Sequence, residues 1–197
     1  MFSFKSIFAA LTIIVAAPLT FATTAYAQGT TVIVIDRAQI LTQSKAGQDV
    51  RTKIQGIESS MQAELQPTAT QLQTEGSAIE AKTANMTPEA MRADAALKTE
   101  VENYARKAND FNRRRQIAAQ ELQLTERKAF IDLNNALVPV LRDVVAENSA
   151  NVILDRSSVV FSDEATDVTA SVITKLDAAT PTIAVTRQKI PTQQPQQ

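Results

Sequence analysis

The chain contains neither cysteine nor histidine. Without cysteine the fold stands with no disulfide, whatever the redox state of its compartment. Without histidine it lacks the usual general base near neutral pH and the commonest zinc ligand. Carboxylates, lysine and serine remain for catalysis, but no spacing among them points to it, so no enzyme activity is expected. Glycine is scarce, and Gly29, Gly47, Gly56 and Gly76 form no GxxxxGK or GxGxxG phosphate loop. No nucleotide, metal or other cofactor is expected. Long apolar runs are missing too, apart from Ile7 to Ala17, which is too short to span a bilayer.

That one apolar stretch reads as part of a secretion signal. Lys5 and the amino terminus precede it, and Ala25-Tyr26-Ala27 places small residues at the −3 and −1 positions of a cleavage site. Residues 1–27 are therefore expected to be removed after Ala27, giving an exported product. No cysteine follows the site to carry a lipid. With Lys5 discounted, nineteen basic residues face twenty-one acidic ones, a charge of about −2. Such a balance gives little long-range attraction for nucleic acid, and none is expected as a partner.

What the chain has in abundance is helix. Thr31-Val32-Ile33-Val34-Ile35-Asp36 is a β-branched run apolar enough to be covered on both faces. Asp36 can cap a short helical turn and Ser44 a second helix. From there Ile54, Ile57, Met61, Leu65, Ala69, Leu72 and Ile79 recur at mostly three- and four-residue steps, one face of a long helix. Pro67 removes a backbone donor inside that helix, so a kink or hinge is expected there. Gly56 and Gly76 weaken the same arm. At Asn85-Met86-Thr87-Pro88-Glu89 the chain reverses, with threonine as cap and proline at the first helical position.

A second arm is expected from residue 88 to about 147, striped by Leu97, Val101, Tyr104, Ala108, Phe111, Ala118, Leu122, Ala129, Leu133, Leu137, Val140 or Leu141, and Val144. A turn centred near Asn85 and Met86 sets Met61 opposite Asp110 and Phe111. Beyond it, Asn151-Val152-Ile153-Leu154-Asp155 and Ser158-Val159-Val160-Phe161 read as two short strands, and Asp167 as the cap of a last amphipathic helix. Closing the helical legs brings Val32 to Asp36 beside these strands. The chain then divides into a β-rich oligomerisation body (28–43 and 145–177), a helical hairpin (44–144), and a Thr/Pro/Gln-rich tail (178–197) without apolar periodicity, expected to be disordered. The fold class is α+β, mostly α: a long antiparallel coiled-coil hairpin projecting from a small base.

VIVIDRAQIL followed by SKAGQ, the hairpin, and the closing VILDRSSVVFSDEATDVTASVITKLD together resemble the Skp family, also called OmpH, of Gram-negative periplasmic chaperones. The resemblance implies a homotrimer, with strands of three subunits joined into a body and helical tentacles around a cavity. It implies an ATP-independent holdase that keeps unfolded outer-membrane proteins soluble. Lipopolysaccharide or membrane-surface contact is a further implied partner. Many relatives are strongly basic, whereas this chain is slightly acidic, so strong electrostatic capture is not carried over. A reading from another class is a structural coiled-coil adaptor of the envelope, acting through its tips or tail.

Candidate residues follow. Arg113, Arg114 and Arg115 either hold acidic groups of a client or lipid phosphates, or pair with Glu58, Glu64 and Asp110. Met86 and Met91, near the tip, are candidate client contacts because thioethers adapt to many apolar shapes; Met61 reads as seam packing. Tyr104 and Phe111 share a face and read as packing too. Pro67 is the candidate hinge. Oligomerisation is assigned to Val32, Ile33, Val34, Ile35, Val152, Ile153, Leu154, Val159, Val160 and Phe161. Asp36, Asp155, Asp163, Glu164 and Asp167 are not read as a metal or acid/base site, because a strand end and a helix cap already account for Asp36 and Asp167.

Overall fold

The computed structural model describes residues 29–190. The expected signal segment and the terminal PTQQPQQ lie outside the described residues. Strand β1, Val32–Ile35, pairs in parallel with β2, Val152–Asp155, in a register that sets Val32 opposite Val152 and Ile35 opposite Asp155. The intervening chain must therefore leave the base and return to it. On the free edge of β1, Asp167 bridges to Val34, and the Val168 N–H donates to the Val34 carbonyl at 3.0 Å. Covered on both edges, Ile33, Val34 and Ile35 are each 3% exposed.

Helix α1, Arg37–Gln43, starts where the Asp36 carboxylate accepts the Gln39 N–H at 2.8 Å. Ser44 ends it and begins α2, Lys45–Thr83, by accepting the Gly47 N–H on its hydroxyl at 3.0 Å. The two helices meet so tightly that a β-carbon on Gly47 would lie 2.1 Å from the Leu41 carbonyl oxygen. Only glycine fits. Helix α2 continues unbroken through Pro67. At 1.5 Å per residue it reaches about 60 Å.

The reversal is larger than the sequence suggests. Thr87 caps a separate helix α3, Pro88–Ala93, and Asp94 then caps α4, Ala95–Glu147, by accepting the Leu97 N–H at 2.9 Å. Cross-arm pairs fix the antiparallel register: Lys82 with Glu100, and Lys107 with Glu75 at 2.6 Å. Met61 thus faces the segment around Glu121. The expectation that it meets Asp110 and Phe111 is corrected by about ten residues, because α3 is inserted in the turn and moves its centre outward. Helix α4 ends with Ser149 in the left-handed region, φ 47°, and the Ala150 N–H returning to the Val145 carbonyl at 3.0 Å.

The apolar core sits at the root of the hairpin. Ile40, Ala46 and Val50 pack there with Ala129, Leu133, Leu137, Val140 and Val144 of α4, and with Val172 and Leu176 of helix α5, Thr169–Ala179. Further out, between residues 62 and 120, only Leu72 and Leu97 are buried. The seam is apolar at the base and thin toward the tip.

Two expectations are overturned. The segment 158–161 is not a strand: Asp155 accepts both the N–H and the hydroxyl of Ser157, turning the chain into a 3₁₀ turn, Arg156–Ser158. Beyond that turn, Val160 and Phe161 stand out, 106% and 85% exposed, and pair with no strand among the described residues. The tail, expected to be disordered from residue 178, instead completes α5 and then runs as an extended strap along the hairpin through residue 190. From Thr182 to Thr186 burial alternates, with Ile183 and Val185 turned inward, a strand-like period that a search for helical spacing passes over.

Candidate functional site

Three surfaces carry side-chain arrangements beyond what packing requires. The first is the strap, residues 181–190, lying on the seam between α2 and α4. Ile183 is 6% exposed and joins the core, with Val185 packed beside it. The Ile183 N–H donates to the Asp49 carboxylate at 2.9 Å, and the Lys53 ammonium donates to the Ile183 carbonyl at 2.7 Å. Lys53 also pairs with Asp49 at 2.7 Å. Its ammonium, helped by the Ile183 N–H and opposed by burial, holds the Asp49 carboxyl below the ordinary aspartate range.

Farther along, the Gln188 N–H donates to the Thr125 hydroxyl at 2.9 Å and the Ile190 N–H to the Glu121 carboxylate at 3.1 Å. Arg187 lies between two acids, with Nη1 2.7 Å from Glu64 on α2 and Nε 2.8 Å from Glu121 on α4. Glu64 first, and Glu121 with it, raise the Arg187 guanidinium further above its ordinary value against the opposing effect of burial. Glu121 and Thr125 are themselves buried. A buried carboxylate requires a partner, and Arg187 supplies it. Asp49, Lys53, Glu121 and Thr125 were not singled out from the sequence; the available signal was that Glu121 and Thr125 lie on the same four-residue step as Ala129 and Leu133.

The second surface is on α4, turned away from the core. Leu124, Ile131 and Val138 recur every seven residues and are 41%, 52% and 44% exposed, with Phe130 beside them at 44%. Phe130 also closes an apolar groove of about 460 Å³ formed with Leu41, Val50 and Ile54 at the root. The sequence reading followed the core stripe of α4 and missed this opposite one, although its heptad spacing was legible.

The third surface is the outer side of the base. Val152 and Leu154 on β2 are 37% and 40% exposed and lie in the same short segment of chain as Val160 and Phe161. Ile153 and Val159 are half-buried, as is Val32. Ile33, Val34 and Ile35, assigned to subunit contacts, are already covered by their own chain and are core residues.

The remaining predicted residues are spread along the arms. Met86 and Met91 are half-buried beside the reversal. Arg113 pairs with Asp110 on the same helix at 3.0 Å, and the Arg115 guanidinium lies 5.9 Å from the Phe111 ring centroid. Arg114 makes no ion pair among the described residues. The arginine run does not engage Glu64, which is held by Arg187. Of the acidic residues of the base, Asp36, Asp155 and Asp163 cap the turns that follow them, whereas the cap position of α5 falls to Val168 and not, as expected, to Asp167. Asp163 accepts the Ala165 N–H and Asp167 the Thr169 N–H, each at 2.9 Å. Burial pushes Asp167 up, but Thr169 and Arg156 outweigh it and leave the carboxyl below its ordinary value. Among the described residues no group of acids is arranged to hold a metal, and no helix is long and apolar enough to cross a membrane.

Among the described residues the chain is a long two-helix arm rooted in a two-stranded base, with apolar side chains exposed on α4 and on the base. The comparisons with known proteins find the same fold elsewhere. The model of the OmpH-like outer membrane protein family matches residues 31–176, and the chain belongs to that family. A crystal structure from Caulobacter crescentus CB15, an OmpH-like protein proposed to be an outer membrane chaperone, superposes with a TM-score of 0.70 at 27% identity. It covers 84% of this chain and 98% of the Caulobacter chain. A search of the curated proteins finds no match.

Proposed function

We propose that the protein is an ATP-independent periplasmic holdase that keeps unfolded outer-membrane proteins from aggregating, and not an enzyme. The observation that carries this reading is the exposed stripe of Leu124, Ile131 and Val138 with Phe130. An apolar face of this kind, set on a stiff helix and turned away from the chain's own core, suits many weak and exchangeable contacts with an unfolded chain. Membership of the OmpH-like family supports the same reading. Arg113, Arg114, Arg115, Met86 and Met91 are proposed as outlying contacts, the arginines toward acidic client groups or lipopolysaccharide phosphates. The working unit is proposed to be a homotrimer joined through Val152, Leu154, Val160 and Phe161, exported after cleavage at Ala27.

Light scattering of urea-diluted outer-membrane porin tests this. The chain is expected to suppress aggregation at about one assembly per client. Replacing Leu124 and Ile131 together by serine should weaken suppression severalfold without changing helix content. A chain that leaves porin aggregation untouched is the envelope adaptor, and the holdase reading fails.

A further inference from the structure

We propose that the seam between α2 and α4 at the root of the hairpin is a binding groove for extended peptide, filled here by the chain's own residues 181–190. Released, it takes an extended segment of an unfolded client with alternating apolar and polar residues. The proposal rests on the holdase reading and adds to it a second kind of client contact, distinct from the exposed stripe of α4.

The strap is held largely through its backbone. The two polar groups of Ile183 are read by Asp49 and Lys53, the Gln188 N–H by Thr125, and the Ile190 N–H by Glu121. Contacts of this kind depend little on which side chains the bound segment carries, because every non-proline residue offers the same N–H and C=O. Two side chains are demanded of the bound segment, an apolar one at the Ile183 position and a cation at the Arg187 position to partner the buried Glu121. Ile183 enters the core, Val185 packs against it, and Thr182, Ala184 and Thr186 are exposed. That alternation is the pattern of a β-strand with one apolar face. Transmembrane strands of outer-membrane barrels have it by necessity. The strap lies beyond the family-matched residues 31–176 and is lodged on the seam between the arms. Tethered to the end of α5, it is present at an effective concentration of about millimolar, so it fills the groove until a longer or better-matched chain displaces it.

Arg187 is the latch, since it alone spans Glu64 and Glu121. The test uses full-length protein carrying Ile183→Ser with Arg187→Glu, which loosens the strap and leaves every groove residue intact. Trypsin cleavage after Lys189 reports release. The probe is a fluorescein-labelled peptide of sequence TPTIAVTRQKI, residues 180–190 of this chain. Its anisotropy is expected to show at least tenfold tighter binding to the released protein than to the parent. Adding Asp49→Ala and Glu121→Ala should abolish that gain. Excess unlabelled peptide is then expected to lower the amount of unfolded porin that the released protein holds.

Failure of the released protein to bind the peptide overturns the groove. Peptide binding that leaves porin retention unchanged makes the strap a purely internal clasp and overturns the client role. If neither protein holds porin, the holdase reading itself has failed, and the peptide measurement still decides whether the groove exists.

Discussion

Gly47 and Gly56 lie in one helix and face opposite physical demands. A β-carbon at Gly47 would overlap the Leu41 carbonyl, which is backbone held between two helices and cannot rotate away, whereas Gly56 has nothing within 4 Å. Gly47→Ala is therefore expected to lower unfolding stability by about 2–4 kcal/mol, the range of a steric clash in a tight site. Gly56→Ala should raise it by about 0.5–1 kcal/mol through helix propensity. Urea denaturation of both variants checks the pair; equal effects of the same sign would contradict the packing described at the α1–α2 junction. From sequence alone the two glycines look alike, both being flaws in a helix. Only the approach of Leu41 separates them. Caps are the opposite case: Asp36, Ser44 and Thr87 do what was expected of them, because a cap is satisfied by a backbone N–H three residues away.

Among the elements, α2 is the informative one. Pro67 leaves the Ala63 carbonyl without its helical donor, yet the helix runs on to Thr83. The strap fastens α2 to α4 as far out as Glu64, three residues short of Pro67. Beyond that point the seam holds few buried side chains, and Gly76 is closed only by the Tyr104 side chain, whose hydroxyl would lie 3.1 Å from an added β-carbon. We propose Pro67 as the hinge at which the outer arm splays from a clamped root. Pro67→Ala is expected to raise amide-exchange protection of Leu72 to Thr83 by about tenfold or more, since a proline inside a helix costs about 3 kcal/mol and tenfold requires only about 1.4 kcal/mol. It should leave Val50 and Leu133 unchanged. Uniform protection along α2 in the parent would remove the hinge. The arms were legible because one-face periodicity over many turns is a strong signal, and Ile54, Ile57, Met61, Leu65, Ala69, Leu72 and Ile79 are all buried or half-buried. The supposed strand at 158–161 was not. Its β-branched residues predict extended backbone, but Asp155 turns the chain at Ser157, and among the described residues the segment pairs with no strand edge.

For the whole molecule the open question is what covers Val160 and Phe161. Two large apolar side chains this exposed, close in sequence to Val152 and Leu154 on a two-stranded sheet, leave a base whose surface is unfinished in one copy. We expect light scattering of the processed chain to give about three times the single-chain mass, and Val160→Asp with Phe161→Asp to return it to one. A parent protein that already runs as a single chain would sink the shared base and with it the cavity between several hairpins. The charge balance bears on the same scale: under the proposed holdase function, a slightly acidic chain would gather clients by apolar contact and avidity rather than by long-range attraction.

By itself the sequence determined the elements whose causes are local. Helical periodicity, capping residues and a β-branched opening run were enough for two long arms rooted beside a short strand, and for membership of an OmpH-like family. Tertiary structure decided what depends on residues far apart in the chain. It buried Ile33 to Ile35 in one subunit, moved the reversal outward by inserting α3, and laid the tail against α2 and α4 through Arg187. Those outcomes turn on partners more than a hundred residues away for β1 and the strap's contact with Glu64, and on a competition between turn and helix at 84–94. Periodicity along a chain states which face of an element is apolar, but not what will come to cover it.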